Sequence, residues 1–144
     1  MKNYLVIGNP IDHSLSPKLH NYWFEKNNIN ANYGKRKIIK SEIQKVITEI
    51  RDNKLDGINV TVPFKNEVIP FLDILSEESK ITQSVNTIYI HNKKLVGHNT
   101  DIKGFELSLN ETQFNLQNKK VFILGAGGVV PSIIYALEKL SVSK

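Results

Sequence analysis

Short, continuously apolar runs alternate along this chain with stretches of helical period. That order constrains the fold more than any other feature, because it fits strands joined by crossover helices in an α/β architecture. Tyr4-Leu5-Val6-Ile7-Gly8 reads as a buried strand stopped by Gly8-Asn9-Pro10. Pro17 to Lys26 reads as a helix with Leu19, Tyr22 and Trp23 on one stripe, Pro17 at the first helical position and Ser16 as N-cap. A second strand is expected over Tyr33 to Ile39, followed by a capping box, Ser41-Glu42-Ile43-Gln44. The helix it opens carries Ile43, Val46, Ile47 and Ile50, the stripe of an element packed on a sheet. In Gly57-Ile58-Asn59-Val60-Thr61-Val62-Pro63 the period of two puts Ile58, Val60 and Val62 on one face and Asn59 and Thr61 on the other. A weakly helical stretch follows around Val68, Ile69, Phe71 and Leu72. Val85 to His91 and Leu95 to His98 read as a hairpin around Asn92-Lys93-Lys94, and Asp101 to Leu109 as a helix. After polar Gln113 to Lys120 come an expected strand, Val121 to Leu124, a glycine loop, Gly125-Ala126-Gly127-Gly128, and a helix carrying Val130, Ile133, Ile134 and Leu137. That is the opening β-loop-α of a dinucleotide-binding fold.

Composition narrows the function classes. The 144 residues are 40% hydrophobic and 23% charged, as in ordinary globular chains, and they include no cysteine. Disulfide frameworks, thiolate metal sites and cysteine nucleophiles are therefore excluded, and a reducing compartment is the default. The apolar run before Gly8 is too short for a signal peptide, and Val121 to Val130, interrupted by glycines, falls short of a membrane span. A cytoplasmic protein without a membrane partner is expected. The net charge of +5 comes from scattered basic residues, all lysine except Arg36 and Arg51. Nucleic-acid recognition leans on arginine in a clustered patch, so no nucleic-acid partner is expected. His13, His20, His91 and His98 have no metal-ligand spacing, and no metal is expected.

Four constellations carry possible chemistry. Asn9 to Pro17 is a strand-to-helix turn in which Ser14 and Ser16 stand beside free backbone N–H groups, a place suited to a carboxylate or phosphate; plain capping by Ser16 is the alternative. Lys65 follows the strand that presents Asn59 and Thr61, where a lysine over a pocket can exchange protons; a solvated surface charge is the alternative. Asn86 and Asp101 supply an amide and a carboxylate able to bind ligand hydroxyls, with Asp101 holding the Lys65 ammonium; a turn residue and a helix cap are the alternatives. In the glycine loop, Gly125 permits the tight turn and Gly127 lets a pyrophosphate approach the backbone, although Val130 stands where G-x-G-x-x-G has its third glycine.

Taken in order from Tyr4 to about Leu137, these segments resemble the shikimate dehydrogenase family. The motifs are Gly8-Asn9-Pro10 with His13-Ser14-Leu15-Ser16-Pro17, Asn59-Val60-Thr61-Val62-Pro63-Phe64-Lys65, Val85-Asn86-Thr87, Asn99-Thr100-Asp101 and Gly125-Ala126-Gly127-Gly128. The resemblance implies a three-layer αβα substrate-binding domain with a mainly parallel mixed sheet, followed by the first β-loop-α of a Rossmann-like domain. The expected divisions are a shikimate-binding domain over 1–101, a linking helix and hinge over 102–117, and an incomplete dinucleotide-binding part over 118–144. The implied reaction is NADP-dependent, reversible reduction of 3-dehydroshikimate to shikimate, a step toward chorismate and the aromatic amino acids. It makes Ser14 and Ser16 donors to the substrate carboxylate, Thr61 and Asn86 substrate contacts, Lys65 the general acid/base and Asp101 its partner and a hydroxyl acceptor. Gly125, Ala126, Gly127, Gly128 and Val129 would face the cofactor pyrophosphate. Glu77 matches a cofactor-associated position, and Ser76-Glu77-Glu78 equally reads as a helix start.

Three departures accompany the resemblance. Gln83-Ser84 stand before Val85 where the family usually has Gly-Ala, Val129-Val130-Pro131 replace small residues after the glycine loop, and the sequence stops at Lys144. The expectation is a truncated form with incomplete cofactor binding, inactive alone. Its last strand and helix would be disordered, or paired with another copy in a homodimer or domain swap. A stand-alone shikimate- or quinate-binding module is the alternative function.

Overall fold

The computed structural model describes residues 1–142. Six strands and five helices follow one another as β1 (Lys2–Gly8), α1 (Ser16–Lys26), β2 (Ala31–Lys37), α2 (Ile43–Arg51), β3 (Gly57–Val60), β4 (Ile74–Leu75), α3 (Glu77–Thr82), β5 (Thr87–His91), β6 (Lys94–His98), α4 (Asp101–Glu111) and α5 (Val130–Lys139). The strands form one sheet in the order β2-β1-β3-β5-β6-β4. β1 runs parallel to both β2 and β3, and β4 parallel to β6, while β5 is antiparallel to its two neighbours. The mixed, mainly parallel α/β sheet expected from the sequence is therefore present. None of the described helices is long and apolar enough to cross a membrane.

Alternation along β1 sorts the core into two layers. Leu5 and Ile7 join Ile58, Val60 and Ile88 beneath α2, whose Ile43, Val46, Ile47 and Ile50 are all buried. Val6 faces the other way and packs with Tyr33 and Ile11, with Tyr4 and Phe24 at the margin. Helices thus cover both sheet faces, α2 on one and α1 on the other.

Several local readings need correction. The stripe Leu19, Tyr22 and Trp23 points outward, and α1 instead turns His20, Asn21 and Phe24 toward the sheet. Ser16 is not the N-cap: it is the first helical residue, after Leu15, whose side chain makes no cap bond. The reciprocal bond expected at Ser41 forms earlier, where the Ile39 N–H donates to the Glu42 carboxylate at 2.9 Å across a 3-10 turn, and α2 starts at Ile43. The second strand runs over Ala31–Lys37, so that Ile38 leaves the sheet and enters the core. The hairpin turn is two residues, Asn92 and Lys93, both at positive φ, and Lys94 already belongs to β6.

The glycine-rich end departs further. Val121 to Leu124 forms no strand and has no sheet neighbour among the described residues; Phe122 and Leu124 are nearly fully exposed. An isolated extended segment has no ladder to satisfy its backbone, so apolar composition alone cannot make it a strand. The following helix forms nonetheless, because Ser132, Ala136 and Leu137 are buried and α5 packs against α4 and α3.

Candidate active site

Sheet order, more than proximity in sequence, assembles the site. β1 and β3 are parallel neighbours, and β5 is antiparallel to β3 and β6. The C-terminal ends of β1, β3 and β6 and the start of β5 consequently share one edge, which is where open α/β sheets hold ligands. Ser14 and Ser16 follow β1, Thr61 and Lys65 follow β3, Asn86 precedes β5, and Asp101 follows β6.

The loops after β1 and β3 meet closely. The Asn9 N–H donates to the Val62 carbonyl at 3.0 Å, and the Thr61 N–H to the Ile7 carbonyl at 2.9 Å. Gly8 permits this approach, since a Cβ there would stand 2.5 Å from Thr61 Cγ2 and 3.1 Å from the Val62 oxygen. Beside the junction lies a cavity of about 220 Å³ lined by Val6, Pro10, Ile11, His13, Ser14, Ser16 and Thr61. The Ser14 hydroxyl oxygen accepts the Ser16 N–H at 3.3 Å, leaving its proton available to a ligand. Three hydroxyls on one small cavity at the start of an eleven-residue helix suit an anionic, oxygen-rich group.

Lys65 is held at backbone level by the Val85 N–H, which donates to its carbonyl at 2.8 Å. Its ammonium donates to Asp101 Oδ2 at 2.6 Å, and both side chains are largely buried, 14% and 24% exposed. Asp101 opens α4, where the helix dipole favours its negative charge. Its other oxygen, Oδ1, accepts from the Asn86 amide at 2.8 Å. Asn86 also donates to Thr100 Oγ1 and accepts from the Thr100 N–H, so its amide is bound up in orienting the carboxylate. The pair that results is an ammonium with donor capacity to spare, fixed by a carboxylate that is itself fixed.

Asn59 and Tyr33 extend this network, and sequence reasoning gave neither a role. The Tyr33 hydroxyl donates to Asn59 Oδ1 at 2.5 Å, and Asn59 Nδ2 donates to the Asn86 carbonyl and to Thr87 Oγ1. Burial pushes the Tyr33 phenol well above its ordinary pKa, and the His20 ring stacks on it at 4.2 Å. For Asn59 the strand alternation was a usable signal, since it already placed the residue on the face shared with Thr61.

A second cavity, of about 440 Å³, lies between Lys65 and the glycine loop, lined among others by Val62, Gln83, Ser84, Gly128 and Pro131. Gly125 has φ +117°, a conformation that requires glycine, and the backbone faces of Gly127 and Gly128 are open. An unobstructed glycine backbone at the start of a ten-residue helix fits the phosphates of a dinucleotide. Val130 and Pro131 form the first turn, and Pro131 has no N–H to offer. Gln83 occupies the left-handed region at the end of α3 with its amide bonded to the Lys80 carbonyl, the position for which glycine is the usual choice. Glu77 lies away from both cavities, in the first turn of α3 behind the cap Ser76, with its carboxylate on Lys80. Ala126 and Val129 lie in the glycine loop with the glycines, beside the helix start.

Fold and site together describe an α/β domain with a partly buried lysine–aspartate pair and a glycine-rich loop alongside. A family model described as the shikimate dehydrogenase substrate binding domain matches residues 6–88, and the chain belongs to that family. It is 61% identical over 143 residues to shikimate dehydrogenase (NADP(+)) of Pelagibacter ubique, covering 99% of this chain and 54% of that protein. To the protein of the same name from Carboxydothermus hydrogenoformans it is 41% identical over 132 residues, 92% of this chain and 47% of that one. Among solved structures, shikimate dehydrogenase 1 of Peptoclostridium difficile superposes with a TM-score of 0.94 at 33% identity, covering 100% of this chain and 53% of the other. A Thermus thermophilus shikimate 5-dehydrogenase solved with shikimate gives 0.91 at 30% identity, covering 99% and 54%. The chain spans about half the length of the curated relatives it matches.

Proposed function

We propose that this chain is the shikimate-binding part of an NADP-dependent shikimate dehydrogenase, which interconverts 3-dehydroshikimate and shikimate. The observation that carries the reading is the Lys65–Asp101 pair at 2.6 Å, on the same sheet edge as the cavity of Ser14, Ser16 and Thr61, while Lys65 itself lines the cavity on the glycine-loop side. The serines hold the substrate carboxylate, and Thr61 takes a ring hydroxyl. Lys65 faces the reacting oxygen and gives it a proton as negative charge develops there, while Asp101 keeps the ammonium in place and accepts a neighbouring hydroxyl. Asn86 acts on the substrate side chiefly through Asp101, whose carboxylate it orients. When bound, a nicotinamide cofactor would supply the hydride in this chemistry, and the backbone of Gly125 to Val129 would hold its pyrophosphate. The same reading puts the protein in the cytoplasm and divides it at about residues 101 and 117 into substrate domain, linking helix and cofactor part.

Calorimetric titration of the chain with shikimate tests the reading. Saturable binding that weakens about tenfold in Ser14→Ala is expected, the worth of one hydrogen bond to a charged group; absence of binding by the unsubstituted chain refutes it. Quinate as a second titrant tests whether the site takes related polyol acids. Turnover is measured in a chimera in which this chain replaces the matching segment of the Pelagibacter relative.

Val121 to Leu124, which pairs with no strand among the described residues, favours a second reading, a binding module that does not turn over alone and that pairs with another copy through this segment. Shikimate-dependent NADP+ reduction by the 144-residue chain itself overturns that alternative. A concentration-independent monomer in sedimentation overturns the pairing.

A further inference from the structure

Between β6 and α4, one side chain reaches both the catalytic pair and the cofactor side of the molecule. Asn99 is 1% exposed. Its Oδ1 accepts the Asp101 N–H at 2.9 Å. Its Nδ2 stands 2.8 Å from Ser132 Oγ on α5, 3.0 Å from the Ser84 carbonyl and 3.2 Å from Thr82 Oγ1 at the end of α3. The Thr82 hydroxyl spends its own proton on the Glu78 carbonyl, so toward Asn99 it can only accept.

The connections continue on either side. Ser84 precedes Val85, whose N–H holds the Lys65 carbonyl, and the Ser84 hydroxyl faces the Gly128 carbonyl at 3.4 Å. Ser132 lies in the first turn of α5, four residues after Gly128, and is itself 1% exposed with Asn99 as its side-chain partner. A buried amide and a buried hydroxyl cost stability unless each is matched, so an apolar pair would be the cheaper way merely to pack α5. The observed pairing also demands one particular residue. Asn supplies a donor toward α5 and Ser84 together with an acceptor toward Asp101; Asp would set a carboxylate against the Ser84 carbonyl, and Leu would satisfy neither side.

We infer that Asn99 is a positioning residue that ties the helix of the glycine loop to Asp101, fixing the cofactor's phosphate cradle relative to the Lys65–Asp101 pair. The inference rests on the proposed dehydrogenase reading for its catalytic consequence, but the mechanical tie stands on hydrogen bonds alone.

The test separates the two. Ser132→Ala breaks the α5 end of the tie and leaves the Asn99–Asp101 bond intact. In the 144-residue chain without ligand, amide exchange in α5 should quicken about tenfold in Ser132→Ala, while β1 to β3 exchange as before. Unchanged α5 exchange overturns the tie whether or not the chain binds shikimate. In the chimera with the Pelagibacter relative, Ser132→Ala should raise the KM for NADP+ about tenfold and leave the KM for shikimate within about twofold. Asn99→Ala should in addition lower kcat, because the Asp101 N–H loses its acceptor. Equal loss on both substrates, or no loss on either, overturns the positioning role. If the unsubstituted chain fails to bind shikimate, the dehydrogenase reading falls, and the exchange experiment still decides the tie.

Discussion

Substituting Gly8 by alanine should damage the substrate site more than it damages the fold. The added Cβ would lie 2.5 Å from Thr61 Cγ2, 3.0 Å from Ile11 Cδ1 and 3.1 Å from the Val62 carbonyl oxygen. Carbon atoms rest at about 3.5–4.0 Å, so the Thr61 methyl must retreat by about 1 Å. The Thr61 methyl and Ile11 Cδ1 are side-chain ends that can turn aside, but the Val62 oxygen is backbone and cannot. The Thr61 N–H is bonded to the Ile7 carbonyl, and the Val62 carbonyl to the Asn9 N–H, which pins the crowded segment at both ends. Overpacking of this kind costs about 1–3 kcal/mol, and the displacement falls on Thr61 and Ile11, two walls of the serine-lined cavity.

The assay pairs urea denaturation with shikimate titration and adds two further alanines as references. At Gly97 a Cβ would meet Leu72 Cδ1 at 2.5 Å, Leu75 Cδ2 at 3.0 Å and Val85 Cγ2 at 3.0 Å, all ends of side chains that can rotate away. Gly97→Ala should therefore lower stability while shikimate affinity stays within about twofold, since none of these atoms lines the serine cavity. Gly34 has nothing within 4 Å of its Cβ position, and Gly34→Ala should change stability by no more than about 0.5 kcal/mol. For Gly8→Ala, affinity should fall about tenfold or more, the equivalent of roughly 1.4 kcal/mol. Native affinity in a folded Gly8→Ala protein would refute the claim that the loops after β1 and β3 are packed against one another at the site.

Three other outcomes follow from the structure. Ile50 of α2 is completely buried against the sheet, so Ile50→Ala should cost about 2–5 kcal/mol and Ile50→Val about 0.5–1.5 in urea unfolding; equal costs would show that the side chain is not packed in the core. Arg51, which bonds both carboxylate oxygens, and the Leu95 N–H hold Asp73 below the usual carboxylate range. A depressed carboxyl stabilises the fold above its unfolded pKa of about 4, and the contribution disappears as pH falls through the lower folded value. The stability gap between the native chain and Asp73→Asn should accordingly be larger at neutral pH than in acid, and a pH-independent gap would remove the pair from the acid limb. In the Pelagibacter chimera, Lys65→Ala should reduce kcat by about 10²–10⁴-fold with a much smaller change in the KM for shikimate, as expected of a group acting on the reacting oxygen; a change confined to KM would make Lys65 a binding residue only.

The elements whose period reports burial were legible in the sequence. In α2 the isoleucines and valine that share a stripe are the buried ones, because this helix lies on the sheet through that apolar face and its one ion pair to a strand, Glu49 with Arg36 of β2, sits at the margin. α1 defeats the same logic. Its Leu19, Tyr22 and Trp23 have the right spacing and face outward, since the inward face is chosen by polar geometry. Asn21 satisfies both backbone groups of Tyr33, donating to its carbonyl at 2.8 Å and accepting its N–H at 2.9 Å, while His20 stacks on the Tyr33 ring. Hydropathy assigns no value to an amide that completes an edge strand's hydrogen bonding. Val121 to Leu124 fails for the converse reason: the residues have strand character, but pairing is a property of neighbours that composition does not contain.

The candidate site divides along the same line. Motif residues announce which side chains have chemistry to offer, yet Lys65 and Asp101 are 36 positions apart, and nothing in either segment specifies that they touch. Their meeting depends on the direction of β5. Because β5 is antiparallel to both β3 and β6, the chain leaves β3, enters β5 and leaves β6 at a single sheet edge, bringing Lys65, Asn86 and Asp101 within hydrogen-bond reach. Were β5 parallel to β3, Asn86 at its entry would lie at the opposite end from Lys65, and β6, turning back through the two-residue hairpin, would deliver Asp101 to that opposite end as well. The type I′ turn at Asn92 and Lys93 is thus a requirement of the chemistry as well as of the hairpin: it sets β6 against β5 so that the carboxylate arrives beside the ammonium.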